Sequence, residues 1–99
     1  EFMSLIIIIA SNRQLPIRYD VKNQIWFNRG INSPPEIQLP FFVEVTCPVI
    51  TDGLIHYIEQ QKIQYKQFEI EVYCETQSVL LYYKKYFPNG RIVGNRIIL

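Results

Sequence analysis

The segment 67–74 strongly constrains the fold, because polar and apolar side chains alternate along its whole length. One side of the segment would carry Phe68, Ile70, Val72 and Cys74, and the other Gln67, Glu69, Glu71 and Tyr73. Side chains alternate with a period of two along a strand, so the pattern predicts a strand with one buried and one solvated face. Such a strand is typical of a sheet that is covered on one side only. We therefore expect an open sheet face on which a partner can bind.

Length and composition favour one globular domain over residues 1–99, in which apolar residues make up 48% of the chain. The formal net charge of +1 lacks the strong basic excess of a dedicated nucleic-acid binder. No apolar run approaches the roughly 20 residues that a membrane span needs, and we find no basic leader for a signal peptide. We expect a cytoplasmic protein that does not enter membranes. Glu1 and Phe2, ahead of Met3, we interpret as a cloning scar.

The N-terminal part of the chain predicts β-structure. The β-branched run 5–10 indicates a strand that is buried on both faces and hence central in a sheet. Two β-prone runs, 15–19 and 24–29, flank a polar turn and predict a hairpin. Residues 30–40 hold three prolines, which lack a backbone donor, so we expect an irregular internal connector there.

The C-terminal part predicts a β-α-β-α-β arrangement. Its elements are a strand at 41–47, a helix at about 51–63, a strand at 67–74, a helix at about 76–87 and a strand at 91–99. Parallel strands linked by right-handed crossovers would place both helices on one face. The expected fold class is therefore α+β, with a mixed β-sheet and both helices packed on one side of it. Gly94-Asn95 we interpret as a bulge rather than a hairpin turn.

Catalytic chemistry finds little support in the sequence. Cys47 and Cys74 fall on apolar strand faces, and the single histidine, His56, falls on the exposed side of the first helix. A cysteine nucleophile needs a base within hydrogen-bond reach, so two reduced core thiols are the favoured interpretation. No clustered glycine motif for phosphate is present. We expect no catalytic residue, no metal site and no cofactor, and favour a protein that is not an enzyme.

Two alternatives stay open. If the strands at 41–47 and 67–74 are neighbours, Glu44, Glu69 and Glu71 share a face and could hold Mg²⁺, as in a metal-dependent hydrolase or nuclease. The ordinary alternation of a half-exposed strand also explains these glutamates. The second alternative is a single-strand nucleic-acid binder, using a hairpin that interleaves basic and aromatic residues: Arg13, Arg18, Lys22 and Arg29 with Tyr19, Trp26 and Phe27.

The leading hypothesis is a small intracellular protein-binding module. The expected binding residues on the sheet are Phe42, Glu44, Glu69, Glu71 and Tyr73, and those on the second helix are Tyr82 and Tyr86. Acidic side chains favour a protein partner with a basic surface, and exposed tyrosines are common at interfaces. A second copy of the chain is an alternative occupant, giving a homodimer. An inhibitor, such as a toxin-neutralising immunity protein, is one function of this kind.

Overall fold

A computed structural model describes residues 5–20, 22, 24–30, 33–47, 52–64 and 69–99. The expected cloning scar at residues 1–2 lies outside these ranges, as does the first part of the predicted strand at 67–74. The elements are β1 (Leu5–Ser11), β2 (Tyr19–Asp20), β3 (Ile25–Asn28), β4 (Phe41–Cys47), α1 (Asp52–Gln64), β5 (Ile70–Tyr73), α2 (Gln77–Tyr86), β6 (Arg91–Val93) and β7 (Arg96–Ile98). The predicted α+β class and the two predicted helices are confirmed.

The strands form one sheet of seven, in the order β2-β3-β4-β1-β5-β7-β6. The apolar β1 occupies the middle, as its β-branched sequence predicted. Every pair in this sheet is antiparallel, so the prediction of a mixed sheet is wrong in this respect. The reason is that β1 lies between β4 and β5 and runs opposite to both. The strands that α1 connects therefore share a direction without pairing.

The hairpin of β2 and β3 joins the main sheet, because β3 pairs with β4. The last predicted strand is in fact a second hairpin, so the bulge at Gly94-Asn95 is wrong. Val93 pairs with Arg96, which leaves Gly94 and Asn95 as a two-residue loop. Gly94 has a φ of +60°, a conformation that glycine adopts at no steric cost and that tight hairpin loops require. Folding the segment back doubles the number of strands it contributes.

Both helices pack on one face of the sheet, as predicted. Their buried residues include Leu54, Ile58, Leu80 and Tyr83, which join one core cluster with the inward side chains of the strands. On α1 the exposed positions include His56, Glu59 and Gln60, but Gln61 is buried and Ile63 is exposed, so the separation of its polar and apolar sides is incomplete. We call the covered side of the sheet the helix face and the opposite side the second face.

The second face carries a smaller cluster of its own. Ile8 and Ala10 of β1 are buried against Ile37 from the connector between β3 and β4. Leu39 of the same connector, together with Phe42 and Tyr73 on the strands, packs around them. The proline-rich connector therefore lies over part of the face that the sequence analysis expected to be open. Prolines suit this position because they lack a backbone N–H group, so the connector does not add another strand to the sheet.

Candidate binding surface

Strand register divides the second face into three rows of side chains that run across the sheet. The outer row consists of Trp26, Thr46 and Ile6. The middle row consists of Asn28, Glu44, Ile8, Tyr73, Arg96 and Val93. The inner row consists of Phe42, Ala10, Glu71, Ile98 and Arg91. The connector lies over parts of the inner and middle rows, and this arrangement determines how accessible each predicted binding residue on the sheet is.

Glu71 is not available to a partner, so its expected exposure is wrong. The residue is 2% exposed. One carboxylate oxygen accepts hydrogen bonds from the backbone N–H groups of Gln38, at 2.6 Å, and Leu39, at 3.2 Å. The other accepts from Arg96 Nη1 at 2.7 Å, in an ion pair whose two side chains are almost buried. This carboxylate attaches the connector to the sheet, and polar alternation alone gave no sign of that role.

Two other predicted residues are only partly accessible. Phe42 and Tyr73 are half-buried and pack against the Ile8–Ala10–Ile37 cluster. The pKa of Tyr73 is raised, first by partial burial and then by the nearby carboxylates of Glu36 and Glu75. The phenol therefore stays neutral, and its immediate neighbours are parts of this chain. We conclude that both rings serve mainly to hold the connector in place.

Glu44 and Glu69 are accessible but lie apart. Glu44 is half-buried in the middle row, whereas Glu69 is exposed just before β5 begins. The backbone of Glu69 exchanges hydrogen bonds with Asn12, at 3.2 and 3.3 Å. Because β1 separates β4 from β5, Glu44 is not brought together with Glu69 and Glu71. No group of three His, Cys, Asp or Glu residues that could hold a metal ion occurs within the described parts of the chain.

Tyr82 and Tyr86 form a separate pair on α2. Their ring centroids are 5.2 Å apart, and the two hydroxyl groups are 3.3 Å apart. Tyr86 is exposed and Tyr82 is half-buried, as the helical spacing predicted. They belong to the helix layer, on the opposite side of the sheet from Glu44, so the seven predicted residues do not form one surface.

The outer row of the second face carries two exposed apolar side chains that were not among the predicted protein-binding residues. Ile6 is 57% exposed and Trp26 is 42% exposed. Both are in register with Thr46, so they lie two strands apart, at roughly 10 Å. We define Ile6, Trp26 and Thr46 as the apolar patch. The alternation around buried Ile25 and Phe27 contained the signal for Trp26, since a residue between two inward side chains must point outward.

The basic and aromatic residues of the hairpin separate onto different faces. Phe27 packs on Tyr57 of α1, with ring centroids 4.8 Å apart, whereas Trp26 lies on the second face. Arg18 and Arg29 line a cleft together with Gln61 and Gln64 of α1, and hence lie on the helix side of the hairpin. These two arginines and Trp26 therefore lie on opposite faces of the sheet and do not form one interleaved surface.

The two cysteines are buried and free, as expected. Burial, and then the neighbouring Cys74, raise the pKa of the Cys47 thiol to about 11. Because the thiolate is the nucleophile, we expect Cys47 to resist iodoacetamide at pH 8 in the folded protein and to react once the chain is denatured. The measurement is mass spectrometry of the modified peptides. Rapid modification of Cys47 in native buffer, with the fold retained, would contradict the expectation.

The same shift has a consequence for stability. The ordinary pKa of the thiol is 9.0 and its value in the folded chain is about 11, so the unfolded chain releases this proton first as pH rises. The protonated Cys47 thiol therefore contributes fully to the free energy of unfolding below about pH 9, and this contribution is lost between about pH 9 and 11.

Comparison with protein-family models, with curated proteins and with solved structures finds no match for this chain. Among the described residues, no helix combines the length and apolar character needed to cross a membrane.

Proposed function

We propose that this protein is a binding module for another protein, and that the apolar patch is its contact surface. The observation that carries the proposal is an exposed isoleucine on the central strand of the sheet, in one row with an exposed tryptophan. Fully burying a large apolar side chain contributes about 1.5–3 kcal/mol, so a partner that covers both gains appreciable free energy. Clustered exposed apolar residues mark interaction sites more often than scattered ones.

The composition of the patch suits a binding hot spot. Tryptophan is enriched among the few interface residues that supply most of the binding free energy. Thr46 lies between the two apolar side chains and offers a hydroxyl for a hydrogen bond. Asn28 and Glu44 of the next row give the patch a polar edge. An apolar centre with a polar rim is the usual construction of a protein interface.

Charge favours a partner that presents a basic residue beside its apolar contact. Glu44 is a diagonal neighbour of Trp26 across β3 and β4. In the part of the chain that the structure describes, Glu44 takes part in no salt bridge, while Arg96 of the same row is paired with Glu71. A lysine or arginine on the partner would therefore meet an available carboxylate. Such complementarity improves the rate and specificity of association.

A second copy of the chain is a less suitable occupant. In a twofold symmetric contact the same patch meets itself, which brings the two Glu44 carboxylates towards each other. Like charges placed opposite one another are destabilising. We therefore propose a different protein, and an inhibitory or toxin-neutralising function is the more specific form of the proposal. A small domain that covers a basic surface on its target would act in that way.

The test begins with chemical crosslinking of the purified protein in lysate of its host, followed by purification of the crosslinked partner. Direct binding is then followed through the fluorescence of Trp26, the only tryptophan in the chain. We expect its emission to shift to shorter wavelength as the partner covers the ring. Ile6→Ala should weaken the complex about 10-fold or more, and Trp26→Ala, measured by calorimetry, about 30-fold or more.

Leu81→Ala is the matched control, because Leu81 is also 57% exposed but lies on α2 in the helix layer. It should leave the affinity unchanged. Glu44→Gln should slow association and reduce its dependence on salt. Equal affinities of the Ile6→Ala, Trp26→Ala and unaltered proteins would refute the proposal, as would failure to recover any partner. Self-association that Ile6→Ala abolishes would assign the patch to a second copy instead.

A further inference from the structure

A second feature lies on the other side of the sheet, between the hairpin of β2 and β3 and helix α1. Two adjoining clefts, of about 250 and 240 Å³, share Arg18 as a common wall. Each is smaller than the range of about 300–1,000 Å³ that is typical of small-molecule sites, so a ligand that fills both would extend across Arg18. The apolar patch is on the opposite face, so these clefts are independent of the proposed protein contact.

The first cleft has an apolar floor and a polar rim. Its floor is formed by Ile25, Phe27 and Leu54, each at most 3% exposed. Its rim includes Arg18, His56 and Gln60, whose side chains are exposed. A site with an apolar base and a few convergent polar groups suits a ligand with a flat, weakly polar body and one charged end.

The charged end of the ligand would be an anion. Arg18 and Arg29 both line the second cleft. The Tyr57 hydroxyl, from the first cleft, donates to the carbonyl of Pro16, in the wall of the second, at 2.8 Å. Burial raises the pKa of Tyr57 to about 12, and the positive charges of Arg18 and Arg29 oppose this rise. Both guanidinium groups therefore lie close enough to influence the same hydroxyl.

The described lining residues of the two clefts include no carboxylate that would neutralise this charge. Within the described ranges neither Arg18 nor Arg29 pairs with a carboxylate, and Arg18 makes only a long hydrogen bond to the carbonyl of Ile17. Arginines that line one cleft without a counter-charge suit phosphate recognition, because a guanidinium group donates paired hydrogen bonds to phosphate oxygens.

We propose that the two clefts form a binding site for a small organic phosphate with a flat ring system, the chemical class of a nucleotide. The phosphate binds between Arg18 and Arg29, and the ring lies over Phe27 and Leu54, with Gln60 available for hydrogen bonds to its edge. A nucleic-acid strand fits less well, because the two arginines of the described lining suffice for one phosphate and do not form a basic groove that follows a backbone.

Calorimetric titration of the full chain with three probes tests the proposal. Adenosine monophosphate supplies both the phosphate and the ring. Inorganic phosphate supplies only the phosphate, and adenosine supplies only the ring. We expect adenosine monophosphate to bind at least 10-fold more tightly than either fragment. Arg18→Gln and Arg29→Gln should each weaken the binding of adenosine monophosphate about 10-fold, since each removes charge-assisted hydrogen bonds to the phosphate.

Arg91→Gln provides the matched control, because Arg91 is an exposed arginine on β6, at the opposite edge of the sheet. It removes the same charge and should leave the affinity unchanged. Both cleft arginines are exposed, so their variants should retain the melting temperature of the unaltered protein. If adenosine monophosphate does not bind at a concentration of about 10 mM, the proposal is overturned. Equal losses in Arg91→Gln and Arg18→Gln would overturn it as well, since they indicate general charge attraction.

Discussion

Replacement of Glu71 by alanine is expected to lower the free energy of unfolding by about 3–5 kcal/mol. The substitution leaves the Arg96 guanidinium almost buried without its counter-charge, since these side chains are 12% and 3% exposed. It also removes the acceptor of the Gln38 and Leu39 amides, which attach the connector to the sheet. Urea denaturation measures the change, and the slope of the transition shows whether the unfolded chain is altered.

Glu69→Ala is the natural control, because Glu69 has the same side chain in an exposed position two residues away. It should change stability by no more than about 0.5 kcal/mol. In a double-mutant cycle, Glu71→Ala and Arg96→Ala should show a coupling of about 0.5–3 kcal/mol. We also expect faster hydrogen exchange at the Gln38 and Leu39 amides in Glu71→Ala. Strictly additive effects of the two substitutions would contradict the assigned ion pair.

Ile9→Ala in the central strand is expected to cost about 2–5 kcal/mol, whereas Ile6→Ala should cost no more than about 1 kcal/mol. Ile9 is fully buried beneath the helices, and Ile6 is 57% exposed. The two substitutions delete the same atoms from the same strand. The difference between their effects on the free energy of unfolding therefore measures the cost of the cavity and of the lost apolar burial. Thermal and urea unfolding both provide the measurement. Similar losses at the two positions would show that Ile6 is covered by the folded chain itself.

This pair of positions also explains why Ile6→Ala is suitable for testing the proposed protein contact. A substitution that removes contact area while leaving the fold intact separates binding from stability. Trp26→Ala has the same purpose in β3, where the buried neighbours Ile25 and Phe27 retain the strand in place. The proposed phosphate site uses residues on the helix face, so failure of one proposal leaves the other testable.

Much of the local structure could be predicted from residue patterns. The helix beginning near residue 52 and the strand at 41–47 follow from hydrophobic spacing, which depends only on neighbouring residues. Gly94-Asn95 was less certain, because the same two residues suit a bulge and a hairpin loop. The choice between them depends on whether Arg96–Ile98 can pair with both Arg91–Val93 and Ile70–Tyr73. Both pairings form, so the two residues are a hairpin loop.

The candidate surface was harder to predict. Glu71 obeys the alternation of a half-exposed strand, yet it is buried, because the connector supplies two amides and β7 supplies Arg96. These partners are 25 to 33 residues away in the chain, so no local pattern signals them. Ile6 shows the opposite error. It belongs to a continuous apolar run, and only the limited reach of the connector leaves it exposed.

The residue pattern by itself determined the α+β class, the two amphipathic helices and the central position of β1, because periodicity and β-branching act over a few neighbouring residues. The tertiary structure alone decided the antiparallel order, the burial of Glu71 and the location of the apolar patch and the arginine-lined clefts. These features depend on which distant segments meet. Hydrogen bonds and ion pairs between such segments compensate buried polar groups in ways that local sequence does not encode.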